Sequence, residues 1–296
     1  MRGDGDVGDA RASLPVRTSR LRRIKSRRRR RTGPRAAIEA RVESWSELQD
    51  RLFEGSWQDR LQRHRSRFAF RGMPGAGEPL ATRLARLSPS AERHLLRNFR
   101  KFARASAVPG DSVWNWLTLA QHHGLPTRLL DWTFSPYVAL HFATDDPGDF
   151  ARDAVIWCVD YVAAHEHLPR RLRELLDEES ADVFTTEMLE RAAPTLERFD
   201  HLAKRPFLVF LDPPSLDERI VNQFALFSLL SGAGSSLDDW LGTRAGLARR
   251  IVLPASLKWE VRDKLDQANV TERVLFPGLD GLSRWLERYY TPRGRT

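Results

Sequence analysis

Strand and helix signals follow one another along this chain without a repeated strand–helix–strand rhythm. That irregular order argues against a doubly wound parallel sheet. Phe68-Ala69-Phe70-Arg71 reads as a strand, closed by Gly72 and the breakers Pro74, Gly75 and Gly77. Before it, Ile38, Val42, Trp45 and Leu48 take a helical spacing, so folding is expected to begin near Ala36 with a helix. Ser88-Pro89 supplies a cap and first-turn signal, with Leu95, Leu96, Phe99, Phe102 and Ala103 on one helical face behind it. Further helices are expected over 113–123, stopped by Gly124 and Pro126, and from Ser135-Pro136 onward, carrying Val138, Ala139 and Phe142.

Beyond this point the apolar runs 154–159 and 207–211 read as strands, separated by a charged helical insertion over about 162–203. Residues 219–230 fit either type. Residues 250–253 read as a strand ended by Pro254, 259–265 as a helix, 274–276 as a short strand and 279–290 as a last helix. The expected class is α+β, a mixed sheet core with flanking helices.

Charge divides the chain in two. The net +9 comes from 48 Lys+Arg against 39 Asp+Glu, but residues 1–35 hold 13 basic and only 3 acidic side chains. The remaining 261 residues hold 35 and 36, so the body is balanced. This excludes a fold that coats nucleic acid with its whole surface. Residues 1–35 include five consecutive arginines at 27–31 and almost no large apolar groups, so they are expected to be disordered. The body, residues 36–296, carries the fold. Nucleic-acid association through residues 11–35 is the expectation for the basic segment, with a steep salt dependence.

The single cysteine, Cys158, excludes a disulfide framework and any multi-cysteine metal site, and its apolar neighbours mark it as a buried thiol. No apolar stretch approaches the ~18–20 residues of a membrane span. The expected setting is a reducing compartment, the cytoplasm, without membrane or metal. His165-Glu166-His167 has the look of a metal trio, but its charged helical context reads as a solvated face.

Chemistry concentrates in residues 119–136, where Gln121, His122, Arg128, Asp131, Thr133 and Ser135 lie among apolar side chains, Trp132 included. Such polar groups need internal partners or a ligand. Arg128 and Asp131 can pair with each other. Thr133 and Ser135 face one side of an extended segment and suit a sugar or phosphate, although Ser135 equally serves as a helix cap. His122 at a helix end is favoured by the helix dipole alone. Arg71, at the end of a strand before a glycine-rich loop, can project its fork into a cleft or pair at a sheet edge. Asn222-Gln223 inside an apolar run needs either backbone or ligand partners.

Phe70-Arg71-Gly72, the block from Leu119 to Phe142, the segment at 219–224 and the ending at 275–282 together resemble the FRG domain, over about 44–290. Phe224-Ala225 departs from that pattern, which has Gln-Gly there. In outline the motifs are also similar to ADP-ribosyltransferases of the arginine–serine–glutamate type. That resemblance implies an ADP-ribosyltransferase-like fold with NAD, or a similar nucleotide, as substrate. It implies Arg71 and Gly72 at the NAD diphosphate or adenosine ribose, and Thr133 and Ser135 at the nicotinamide ribose, within a binding segment that includes Gln121, His122, Arg128 and Asp131. Trp132, Phe134 or Tyr137 would stack on the nicotinamide. The catalytic glutamate is matched by Gln223 or Asn222, or by Glu218 upstream. The resemblance thus implies an NAD-consuming transferase or glycohydrolase, the alternative being a non-catalytic binding module.

Overall fold

The computed structural model describes residues 37–104 and 111–293. The chain divides at Gly33/Pro34, and every described residue belongs to the second unit, Pro34–Thr296. The expectations for residues 1–35 lie outside the described residues.

The chain opens with β1 (Ile38–Arg41) and α1 (Trp45–Phe53), then the small hairpin β2 (Trp57–Gln58) and β3 (Arg63–His64), and β4 (Phe68–Met73). Next come α2 (Arg83–Leu87), α3 (Glu92–Ala103), α4 (Val113–His122), β5 (Leu129–Thr133) and α5 (Pro136–Ala143). β6 (Ala154–Asp160) leads into four helices, α6 (Tyr161–His165), α7 (Arg170–Glu178), α8 (Thr186–Ala192) and α9 (Leu196–Asp200). β7 (Leu208–Leu211), α10 (Glu218–Asn222), β8 (Ala225–Leu230), α11 (Leu237–Gly242) and β9 (Ala248–Leu253) follow. α12 (Lys258–Gln267), α13 (Glu272–Leu275) and α14 (Leu279–Tyr289) close the fold. The class is α+β, with a mixed seven-stranded sheet and flanking helices.

The sheet order is β1-β9-β6-β4-β5-β8-β7, with β1 parallel to β9 and every other neighbour antiparallel. On one face, Phe70, Ile156, Cys158, Ile251 and Leu253 pack under α1, α5 and α12. Farther along the same face, Leu129, Val209, Leu211, Phe227 and Leu229 pack under α4 and the helices of the insertion. The opposite face, with Ala69, Met73, Trp132, Trp157 and Phe210, is covered by α6 and α11. Burial pushes the Cys158 thiol up to about 12, so it stays protonated inside the core.

One seam interrupts the sheet. β4 pairs with β6 over all six residues, but with β5 only at Phe70–Thr133. Beyond that pair the strands part.

Three expectations are corrected by the structure. Residues 38–41 form a strand rather than a first helical turn, because they find the open edge of β9; the helix starts only after Ser44, whose hydroxyl accepts from Glu47 N. Residues 274–276 do not form a strand. Residues 272–275 form α13, and three apolar residues in a row cannot distinguish the two. His165 is not on a solvated face. It is 5% exposed, and its Nε2 accepts from Phe210 N at 2.9 Å while Nδ1–H donates to Asp182 O at 3.0 Å. The insertion is helical as expected, with Leu172, Leu175 and Leu176 turned into the core.

Burial holds His165 down at about 4 and, with the Arg262 charge beside it, His141 at about 3. Both imidazoles fold neutral, so the unfolded chain, titrating near 6.5, binds more protons between roughly pH 4 and 6.5. The contribution of these two histidines to stability is therefore lost as pH drops through that window, while Asp145 and Asp212, both raised to about 6 by burial, contribute in the opposite sense. His165→Gln keeps one donor and one acceptor and should flatten the slope of unfolding free energy against pH, measured by urea titration from pH 7.5 to 4.5. An unchanged slope would remove His165 from this account.

Candidate functional site

A cleft of about 670 Å³ opens over the seam, between the two helical groups on one face of the sheet. Its walls come from β4 (Phe70, Arg71, Gly72), the end of α4 (Gln121, His122), β5 (Asp131, Trp132, Thr133), and α10 with β8 (Gln223, Phe227). The antiparallel register explains the convergence. Asp131 lies opposite Phe227, and Thr133 opposite both Phe70 and Ala225, so all present one face.

Arg71 reaches this cleft because the strands part. Strand alternation puts it on the other face, opposite Trp157, yet its Nη1 donates across the gap to the main-chain oxygen of Asp131 at 2.5 Å. Its Nε is buried and bonds to nothing among the described residues. Burial lowers its pKa and the Asp131 charge opposes that shift, but no salt bridge to Arg71 is formed among the described residues. A half-buried guanidinium with no carboxylate in contact carries a desolvation cost that an anion would relieve.

Asp131 is held for use. Both carboxylate oxygens accept from Gln121 Nε2 at 3.0 Å, Gln121 Oε1 accepts from Thr127 Oγ1 at 2.6 Å, and Thr127 Oγ1 in turn accepts from Leu129 N. Gln121 and Thr127 are buried while Asp131 is exposed to the cleft. The carboxylate is thus fixed in orientation and open to solvent on its remaining side. His122 closes the wall, its Nε2 lying 2.5 Å from Oδ2 of Asp217, which also caps α10 through Ile220 N.

The family model of the FRG domain matches residues 66–152. This chain carries an FRG domain. The matched stretch takes in β4, α4, β5 and α5, and with them Arg71, Gln121 and Asp131. The segments at 219–224 and 275–282 lie beyond it. No curated protein matches the chain, and no solved structure does.

Several residues of the FRG domain expected at the site have other work. Arg128 does not pair with Asp131 and does not line the cleft. Its Nε and Nη2 bond Glu92, and Nη1 bonds Asp200 at 2.7 Å, which neutralises it twice over. Ser135 caps α5 through Val138 N, and stands outside the cleft; Thr133 accepts from Ser135 N and donates to Gln223 O. Gly72 is at the cleft, but its empty Cβ position is taken by α5: a methyl there would sit 1.7 Å from Ala139 O. Trp132, Phe134 and Tyr137 have partners of their own, although Trp132 also borders the cleft. The Trp132 indole donates to Ser228 Oγ, Phe134 packs on Tyr161, and the Tyr137 hydroxyl donates to Gln49.

Asn222 and Gln223 are anchors for α13, their amide nitrogens donating to Val274 O and Leu275 O, both at 2.9 Å. Asn222 and the exposed Glu218 do not line the cleft. Phe224 adopts φ +47°, a left-handed backbone that favours glycine, and 60% of its surface is exposed. Sequence reasoning missed Phe142, whose half-buried ring lines the cleft, and Arg83, which holds the wall by donating to Gly124 O at 2.7 Å. Phe142 was legible only as part of a helix face. Arg83 sits in α2, a five-residue helix too short for its periodicity to stand out. Among the described residues no cluster of three or more His, Cys, Asp or Glu is placed to hold a metal, and no helix is long and apolar enough to cross a membrane.

Proposed function

We propose that the cleft binds NAD or a similar nucleotide, and that this FRG domain works as an ADP-ribosyltransferase-like, NAD-consuming enzyme, transferase or glycohydrolase. The observation that carries the reading is the Arg71 guanidinium, without a salt bridge among the described residues and with its Nε unbonded, facing the same 670 Å³ cleft as a carboxylate clamped by Gln121. Arg71 takes the diphosphate, for which a guanidinium fork is suited. Phe142 offers its ring to the nicotinamide. Asp131, in place of Glu218, Asn222 or Gln223, supplies the negative charge.

In the reaction the bond between ribose C1′ and the nicotinamide nitrogen breaks, and nicotinamide leaves with the bonding pair. Positive charge develops at C1′, where Asp131 stabilises it. An oxygen nucleophile, water or an acceptor hydroxyl, then bonds C1′ and loses its proton. Preorganisation of Asp131 by Gln121 and Thr127 limits the reorganisation this step requires.

NAD titration by calorimetry, paired with nicotinamide release, tests the proposal. Arg71→Ala should weaken NAD binding by about 10–100-fold, the range for losing a charged hydrogen bond. Asp131→Asn should leave affinity within a few fold while reducing release by about 100-fold or more. Wild-type protein that neither binds nor cleaves NAD would overturn the reading, and unchanged binding in Arg71→Ala would overturn the placement of the diphosphate. Binding without turnover would favour the non-catalytic alternative, for which the commitment of Asn222 and Gln223 to backbone is the supporting observation.

A further inference from the structure

A second concavity, of about 810 Å³, runs between α3 and α9, away from the residues of the nucleotide cleft. Along its rim α3 sets Arg93, Arg97 and Arg100, with Lys101 beside them and Arg104 at its C-cap. Their spacing, three or four residues apart, puts the arginines on one stripe about 16 Å long. Three of these five charges are answered, two of them by one shared carboxylate. Arg93 reaches Glu197 at 3.4 Å, and Arg100 and Arg104 share Asp111 at 2.8 and 3.2 Å. Arg97 and Lys101 are exposed and form no ion pair among the described residues. Two further carboxylates of the groove, Glu92 and Asp200, are already spent on Arg128.

The floor of the groove is aliphatic, formed by Leu96, Val113 and Leu196 with Pro89 at one end. No Phe, Tyr or Trp lines it among the described residues, so a single-stranded nucleic acid would find phosphate partners but no ring for its bases to stack on. A surface with a cationic rim over an aliphatic floor, repeating at helical spacing, complements one occupant better. We infer that the α3–α9 groove docks an acidic amphipathic helical segment of a partner protein, its apolar stripe on Leu96, Val113 and Leu196 and its carboxylates against Arg97, Lys101 and the neighbouring arginines. The arginine forks favour carboxylates held in register by a helix over isolated charges.

The test uses the full chain and a fluorescein-labelled 18-residue peptide with leucines at helical spacing flanked by glutamates. A shuffled peptide of the same composition and an 18-nucleotide oligouridylate serve as comparisons. Anisotropy titrations should show the amphipathic peptide binding at least tenfold tighter than the shuffled one. The Arg97→Glu/Lys101→Glu variant should lose at least tenfold of that affinity and gain affinity for the lysine-flanked version of the peptide. Neither side chain has an ion-pair partner to lose among the described residues, but Lys101 lies in the last turn of α3 and over the Phe102 ring, so the thermal midpoint should fall by no more than about 4 °C. Binding of NAD in the cleft should be untouched; Arg104→Glu, which also gives up Asp111, is an independent second reversal. Equal binding of ordered and shuffled peptides, or full affinity in both reversal variants, would overturn the inference. So would oligouridylate binding that alone responds to the reversals, which would assign the groove to nucleic acid.

Discussion

Gly72→Ala is expected to destabilise the fold by more than about 3 kcal/mol, the upper range for overpacking, because the new methyl meets backbone. The added carbon would lie 1.7 Å from Ala139 O, 2.8 Å from Ala139 C and 2.9 Å from Ala143 N. None of these can rotate aside, so either α5 lifts from the sheet or β4 bends. Both movements disturb the core shared by Phe70, Ala139, Leu140 and Ala143. Gly77→Ala is the matched control, since nothing lies within 4 Å of its Cβ position. It should change stability by no more than about 1 kcal/mol. Urea midpoints for the two variants decide the matter. A Gly72→Ala protein as stable as wild type would mean that the helix does not seat on the strand as described.

Glu92→Ala should cost about 3–5 kcal/mol, the range for stripping a partner from a buried ion pair. Glu92 and Arg128 are both at 7% exposure, and Glu92 meets the guanidinium through both oxygens, leaving only Asp200 when it is gone. Glu92 also begins α3, where its negative charge favours the helix dipole, so a smaller second loss adds to the first. Glu92→Leu combined with Arg128→Met removes both charges and leaves Asp200 free to face solvent. That double variant should recover most of the stability, because an apolar pair of similar volume needs no counter-charge. Equilibrium unfolding of wild type, single and double variants measures the coupling. A double variant no better than Glu92→Ala would show that the cluster contributes through shape rather than charge compensation.

The legible part of the fold was the part governed by local signals. Ser112, Ser135 and Ser236 each cap the helix that follows, and the cap at Ser135 was visible beside Pro136. β6, up to Val159, and β7 stood out as apolar runs because both faces of the central sheet are covered. β1 was not legible, since Ile38–Arg41 is exposed or half-exposed and becomes a strand only by pairing with residues more than 200 positions away. Of the candidate site, the residue types were visible and their partners were not. Arg128 and Asp131 are three apart and looked like a pair, but strand alternation from Leu129 onward turns them to different neighbours: Arg128 to Glu92 and Asp200, Asp131 to Gln121. The amides of Asn222 and Gln223 were rightly seen to need partners, and α13 supplies them from 52 residues away. Such long-range commitments leave no trace in local composition.

The parting of β4 from β5 has a consequence for what kind of recognition the cleft can offer. Past Phe70 and Thr133 the two strands no longer complete each other's ladder, and the Arg71 side chain bridges instead to the carbonyl of Asp131. Peptide groups along Arg71–Met73 and Leu129–Trp132 therefore border a gap without cross-strand pairing to each other. A molecule lying there can be gripped by the polypeptide's own amide edges, which are identical whatever side chains the strands carry. Kinship among such sites would then be recorded in the path of two diverging strands, and amino-acid substitution could run far while the grip persists.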